Sequence, residues 1–60
     1  MDTMKIEKII RCNYNGLFTI YYDNGEKVKS YDFTDEIKNF IKYEASSSFT
    51  TSDGYNYYLA

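Results

Sequence analysis

In Ile20-Tyr21-Tyr22-Asp23-Asn24-Gly25-Glu26-Lys27-Val28 an Asn-Gly pair interrupts two apolar-rich runs. Asn-Gly between two apolar-rich runs is the strongest short-range hairpin signal. The loop length then sets which side chains share a face. A two-residue loop, Asn24-Gly25, would pair Ile20 with Lys29 and strand Val28 on the other side. A three-residue loop, Asp23-Asn24-Gly25, pairs Ile20 with Val28 instead. It also puts glycine at the third position, where a type I turn with a G1 bulge needs left-handed backbone. The three-residue loop is therefore the expectation.

Toward the N-terminus the same signal recurs as Asn15-Gly16. A loop Tyr14-Asn15-Gly16 pairs Ile10 with Ile20 and Cys12 with Phe18. Three antiparallel strands follow, at Met4 to Cys12, Leu17 to Tyr22 and Glu26 to Phe33. A one-residue slip inverts every side chain, so two hairpins agreeing on one apolar face carry weight. The predicted inner face is Ile6, Ile10, Cys12, Phe18, Ile20, Tyr22 and Val28. The predicted outer face is Ile9, Arg11, Leu17, Thr19, Tyr21, Lys27, Lys29 and Tyr31. Lys8 falls on the inner face, where an inward lysine on an edge strand guards against edge-to-edge pairing.

Toward the C-terminus, Thr34 reads as a helix N-cap, with Asp35 and Glu36 at the positive end of the dipole. Ile37, Phe40, Ile41 and Ala45 form an apolar stripe at helical spacing, with Lys38 and Lys42 facing away. The serines at 46 to 48 favour a loop and end the helix. Beyond them, Phe49-Thr50-Thr51, Ser52-Asp53-Gly54 and Tyr55-Asn56-Tyr57-Tyr58-Leu59 read either as a third hairpin or as a single added strand. The expected fold is α+β: a three-stranded antiparallel meander, then one helix and a C-terminal strand or hairpin (βββαβ or βββαββ). It fills one small domain over residues 1–60.

A chain of 60 residues has little core, and burial of aromatic rings is the expected compensation: it has eight tyrosines and four phenylalanines. Cys12 is the only cysteine and there is no histidine, which excludes an internal disulfide and a structural zinc cluster. A net charge of −2 is too mild to imply a nucleic-acid or membrane partner. Met1-Asp2-Thr3-Met4-Lys5 does not resemble a leader, and no run approaches the ~20 apolar residues that span a bilayer. With a lone thiol, these features predict a cytoplasmic protein with no membrane association.

Catalytic equipment is hard to find. Without histidine the usual general base is missing. Capping explains Asp35 and Glu36, and Cys12 falls on the predicted apolar face, where a thiol packs as a small hydrophobe. Ser46, Ser47 and Ser48 have no base beside them, and the glycine turns are too short for a phosphate loop. The expectation is a protein that is not an enzyme and uses no cofactor and no metal.

Three surfaces could do work. Tyr55, Tyr57 and Tyr58, with Tyr14 and Tyr43 elsewhere, suit a protein interface, since tyrosine is large, rigid and amphipathic; the alternative is that these rings complete a small core. Arg11, Tyr21, Lys27, Lys29 and Tyr31 interleave bases and aromatics on the predicted outer face, as single-strand nucleic-acid binders do. Ordinary solvent-facing residues of an antiparallel sheet explain them better, because three bases on a net acidic chain are a weak footprint. Asp32, Asp35 and Glu36, with Asp23, Glu26 and Asp53, make an acidic surface, but the overall charge balance argues against nucleic-acid mimicry. The reading that follows is a non-enzymatic domain that binds a larger protein and occludes its surface, as an inhibitor or modulator. Antagonists of host defence nucleases carried by phages or mobile elements have this profile. A homodimer is the expected remedy for a small core. Single-stranded nucleic-acid binding through the outer face is the alternative.

Overall fold

In a computed structural model, which describes residues 4–60, Ile20 pairs with Val28 across a loop closed by Gly25 at φ 89°. Tyr22 N donates to Glu26 O at 2.9 Å and Gly25 N to Tyr22 O at 3.2 Å, so the loop is Asp23-Asn24-Gly25 as the turn chemistry predicts. The reading of residues 1–5 as unlike a leader rests largely on residues 1–3, which lie outside the described residues.

The strands are β1 (Ile6–Cys12), β2 (Phe18–Tyr22), β3 (Lys27–Ser30), β4 (Ser47–Thr50) and β5 (Tyr55–Leu59). They form one antiparallel sheet in the order β3-β2-β1-β5-β4. The tail is thus a third hairpin, not a single strand. Its loop repeats the second: Thr51 N donates to Tyr55 O at 2.8 Å and Gly54 N to Thr51 O at 3.2 Å, with Gly54 at φ 94°. β5 returns to pair with β1, which makes β1 the central strand. The third strand stops at Ser30, short of the predicted Phe33, because the Ser30 hydroxyl accepts a hydrogen bond from Asp32 N at 3.1 Å and turns the chain.

The helix α1 (Asp35–Asn39) starts where predicted: Thr34 Oγ1 accepts from Ile37 N at 3.3 Å. It continues through Phe40–Glu44 as one wider π-type turn, with Ala45 N donating to Phe40 O at 2.8 Å. The chain leaves β3 at one edge of the sheet and enters β4 at the other, so this helical segment crosses one face only. Ile9, Phe18 and Ile20 from the sheet and Ile37 and Phe40 from the helix make the core, flanked by Ile6, Tyr22, Ile41, Ala45 and Tyr58. Each such side chain contributes roughly 1.5–3 kcal/mol when fully buried. Tyr22 Oη donates to Glu36 Oε1 at 3.0 Å and ties the helix start to β2.

The first hairpin differs from the expectation. Cys12 N donates to Leu17 O and Gly16 N to Cys12 O, both at 2.8 Å, so the loop runs from Asn13 to Gly16 and is one residue longer than predicted. Ile9 therefore lies opposite Ile20, and Arg11 opposite Phe18. This turns β1 over. Ile9 and Arg11 join the helix-covered face, while Lys8, Ile10 and Cys12 move to the open face. Ile6 stays on the covered side because the register shifts between Ile6 and Lys8. The extra loop residue has a tertiary cause. Asn13 N donates to Gly54 O at 2.8 Å, and its side-chain amide donates to Asn56 Oδ1 at 3.1 Å. Asn13 is held by the third hairpin, which local turn rules do not see.

Candidate functional site

Among the described residues, no helix covers the open face of the sheet. Directly paired residues lie on one side of a sheet, so the register gives its rows. One row runs Lys27, Tyr21, Lys8, Leu59, Ser47; the next runs Lys29, Thr19, Ile10, Tyr57, Phe49; Cys12 pairs with Tyr55 beyond them. The rings of Phe49 and Tyr57 stack at 4.9 Å with 7° between planes. Lys8 Nζ sits 4.7 Å from the Tyr21 centroid, a cation–π contact. Phe49 is 49% exposed and Tyr55 37%. The surface is thus an aromatic and aliphatic strip, with Lys27 and Lys29 at the β3 edge and Lys8 on the central strand, across Tyr21 from Lys27. Among the described residues no carboxylate stands in these rows.

The covered face has a groove of about 550 Å³ beside the helix, lined by Arg11, Asn15, Gly16, Phe18, Tyr31, Phe33, Ile41, Asn56 and Tyr58. Arg11 Cζ lies 5.8 Å from the Phe18 ring centroid, and Phe33 packs on Phe18 at 5.8 Å. A polar chain edges the groove: Arg11 Nη1 donates to Asn13 Oδ1 at 2.6 Å, Asn13 Nδ2 to Asn56 Oδ1 at 3.1 Å, and Thr50 Oγ1 to the same oxygen at 2.7 Å.

The predicted nucleic-acid face is divided by this geometry. Tyr21, Lys27 and Lys29 share the open face, where Lys8 joins them, whereas Arg11 and Tyr31 line the groove on the covered side. Lys8 is not an inward guard and Cys12 is not a core residue: it is half-buried on the open face. The predicted tyrosine interface divides too. Tyr55 and Tyr57 are on the open face, Tyr58 packs against the core from the other side, and Tyr43 stands 71% exposed on the helical segment with Lys42 Nζ 5.2 Å from its ring. Phe49, Ile10 and Lys8 were missed as members of the open face. Phe49 could have been found, since the three-residue rule applied to Ser52-Asp53-Gly54 pairs it with Tyr57.

Tyr22 has its hydroxyl pKa raised above the ordinary value, first by burial, then by its hydrogen bond to Glu36 and the charges of Glu36 and Glu26. It is a structural group under the helix start. Among the described residues no three His, Cys, Asp or Glu side chains gather as a metal site, and no helix is long and apolar enough to cross a membrane.

No protein family matches the chain, and no solved structure does. Over 43 residues, 72% of its length, the chain is 42% identical to maintenance of telomere capping protein 6 of Candida tropicalis. It spans only 7% of that protein, too small a part to place it in the same family.

Proposed function

We propose that the chain is a non-enzymatic protein-binding domain, of inhibitor or modulator type, that covers a partner's surface with its open sheet face. The observation that supports this is the strip of Ile10, Tyr57, Phe49, Tyr55 and Leu59 left uncovered by the helix. Aromatic side chains in a contiguous apolar patch are what dominate binding energy at protein interfaces. The lysines at the β3 side specify the partner's chemistry: an apolar centre with an acidic rim.

The test compares capture of a binding protein by the wild-type chain, Tyr57→Ala and Phe49→Ala. Each change is expected to weaken binding at least about tenfold, as loss of a central aromatic anchor does. Lys27→Glu with Lys29→Glu should slow association and reduce its salt dependence. Undiminished capture by both aromatic variants would refute the assignment to this face. Sedimentation of the chain alone checks a second outcome: a dimer broken by Tyr57→Ala would make another copy the occupant.

The grouping of Tyr21 with Lys8, Lys27 and Lys29 supports single-stranded nucleic acid as the second reading. It predicts tight binding of a labelled oligothymidylate at about 150 mM salt, lost when the three lysines become alanine.

A further inference from the structure

We propose that the groove on the helix-covered face is a binding site for a nucleoside monophosphate, separate from the open sheet face and independent of what that face binds. The groove, at about 550 Å³, is in the range of small-ligand sites. Its walls are aromatic. Tyr31 is 68% exposed and Phe33 59%, so much of each side chain is open to a stacking partner even though Phe33 also packs on Phe18, and Tyr58 adds a third ring to the lining. Base-on-aromatic stacking is sequence-tolerant and strong for flat rings.

The polar lining decides the charge of the ligand. Among the described residues, Arg11 is the only ionisable cation that lines the groove, and no carboxylate does. Its guanidinium uses one N–H on Asn13 among the described residues, which leaves a fork for an oxyanion. Asn56 Oδ1 already accepts from Asn13 and Thr50, so the free polar group of Asn56 is its N–H₂. Asn15 Oδ1 accepts from Leu17 N at 3.0 Å, so the free group of Asn15 is also its N–H₂. The arginine and both amides thus offer donors, beside exposed rings. A nucleotide supplies the complement: a flat ring, acceptor atoms along the base edge and a phosphate. A simple aromatic carboxylate fits the ring and Arg11 but has nothing for both amides.

The experiment titrates the full chain with adenosine monophosphate, adenosine, inorganic phosphate and N-acetylphenylalanine, followed by backbone amide shifts. The monophosphate should give saturable shifts at Asn15, Gly16, Tyr31 and Asn56. Adenosine and phosphate should each bind at least about tenfold more weakly, because each satisfies half of the site. Arg11→Gln should weaken the monophosphate about tenfold and leave adenosine unchanged, while Tyr31→Ala should weaken both. Arg11 also covers Phe18, so a thermal melt accompanies that variant. If it unfolds, Tyr31→Ala, at an exposed position, decides. Absence of saturable shifts with millimolar monophosphate would overturn the proposal. So would shifts confined to the open face, unchanged affinity in Tyr31→Ala, or equally tight binding of N-acetylphenylalanine.

Discussion

The ring of Tyr14 lies over Gly54, its Cζ 2.9 Å from the position a Cβ on that glycine would take. The contact joins the loops of the first and third hairpins, and Asn13 N donating to Gly54 O reinforces it. Gly54 is thus required twice: its φ is 94°, and its missing side chain makes room for the ring.

Gly25 provides the control, because its φ is 89° with open space around the absent Cβ. Gly25→Ala should cost about 1 kcal/mol from backbone strain alone. Gly54→Ala should cost about 2 kcal/mol or more, since overpacking adds to the strain. Urea melts measure both. The excess at Gly54 should shrink when Tyr14→Ala is introduced, and equal costs at the two glycines would show that the ring moves aside freely.

The orientation of β1 makes a sharp mutational contrast. Ile9 is fully buried and Ile10 half-buried on the open face. Ile9→Ala is expected to cost about 2–5 kcal/mol, enough to threaten folding in a chain this short. Ile10→Ala should cost about 1 kcal/mol. Chemical denaturation followed by tyrosine fluorescence would show it; the reverse order would restore the three-residue first loop.

Tyr22 predicts an alkaline effect. Its pKa is raised in the folded state, so the folded chain holds the hydroxyl proton more tightly than the unfolded chain. The stability this adds is fully present below the unfolded value of ~10 and lost as pH rises through the folded value. Wild type should therefore lose melting temperature more steeply above about pH 10 than Tyr22→Phe does. Parallel pH profiles would show that Tyr22 ionises without disturbing the helix start.

At the helix itself, Thr34→Ala removes the acceptor for Ile37 N. The expected loss is about 1 kcal/mol, and Thr34→Ser should be nearly neutral. Loss of equal size in both variants would assign the effect to the threonine methyl instead.

Local chemistry was enough for much of this molecule. Asn24-Gly25 and its flanking residues specify a three-residue loop and the pairing of Ile20 with Val28, because the left-handed position accepts glycine most readily. Thr34 and the Ile37, Phe40, Ile41, Ala45 stripe likewise specify where the helix starts and which side it buries. The small α+β fold follows from these signals. The orientation of β1 does not, because apolar and polar residues alternate poorly between Ile6 and Cys12: Ile6, Ile9 and Ile10 serve either face. Tertiary contacts chose between them. β5 pairs along β1, and the third hairpin holds Asn13 and Tyr14, lengthening the first loop by one residue. That single residue moved Arg11 into the groove and Lys8 onto the open face. Turn rules read neighbours in the chain, whereas the strand that fixes β1 lies more than forty residues away.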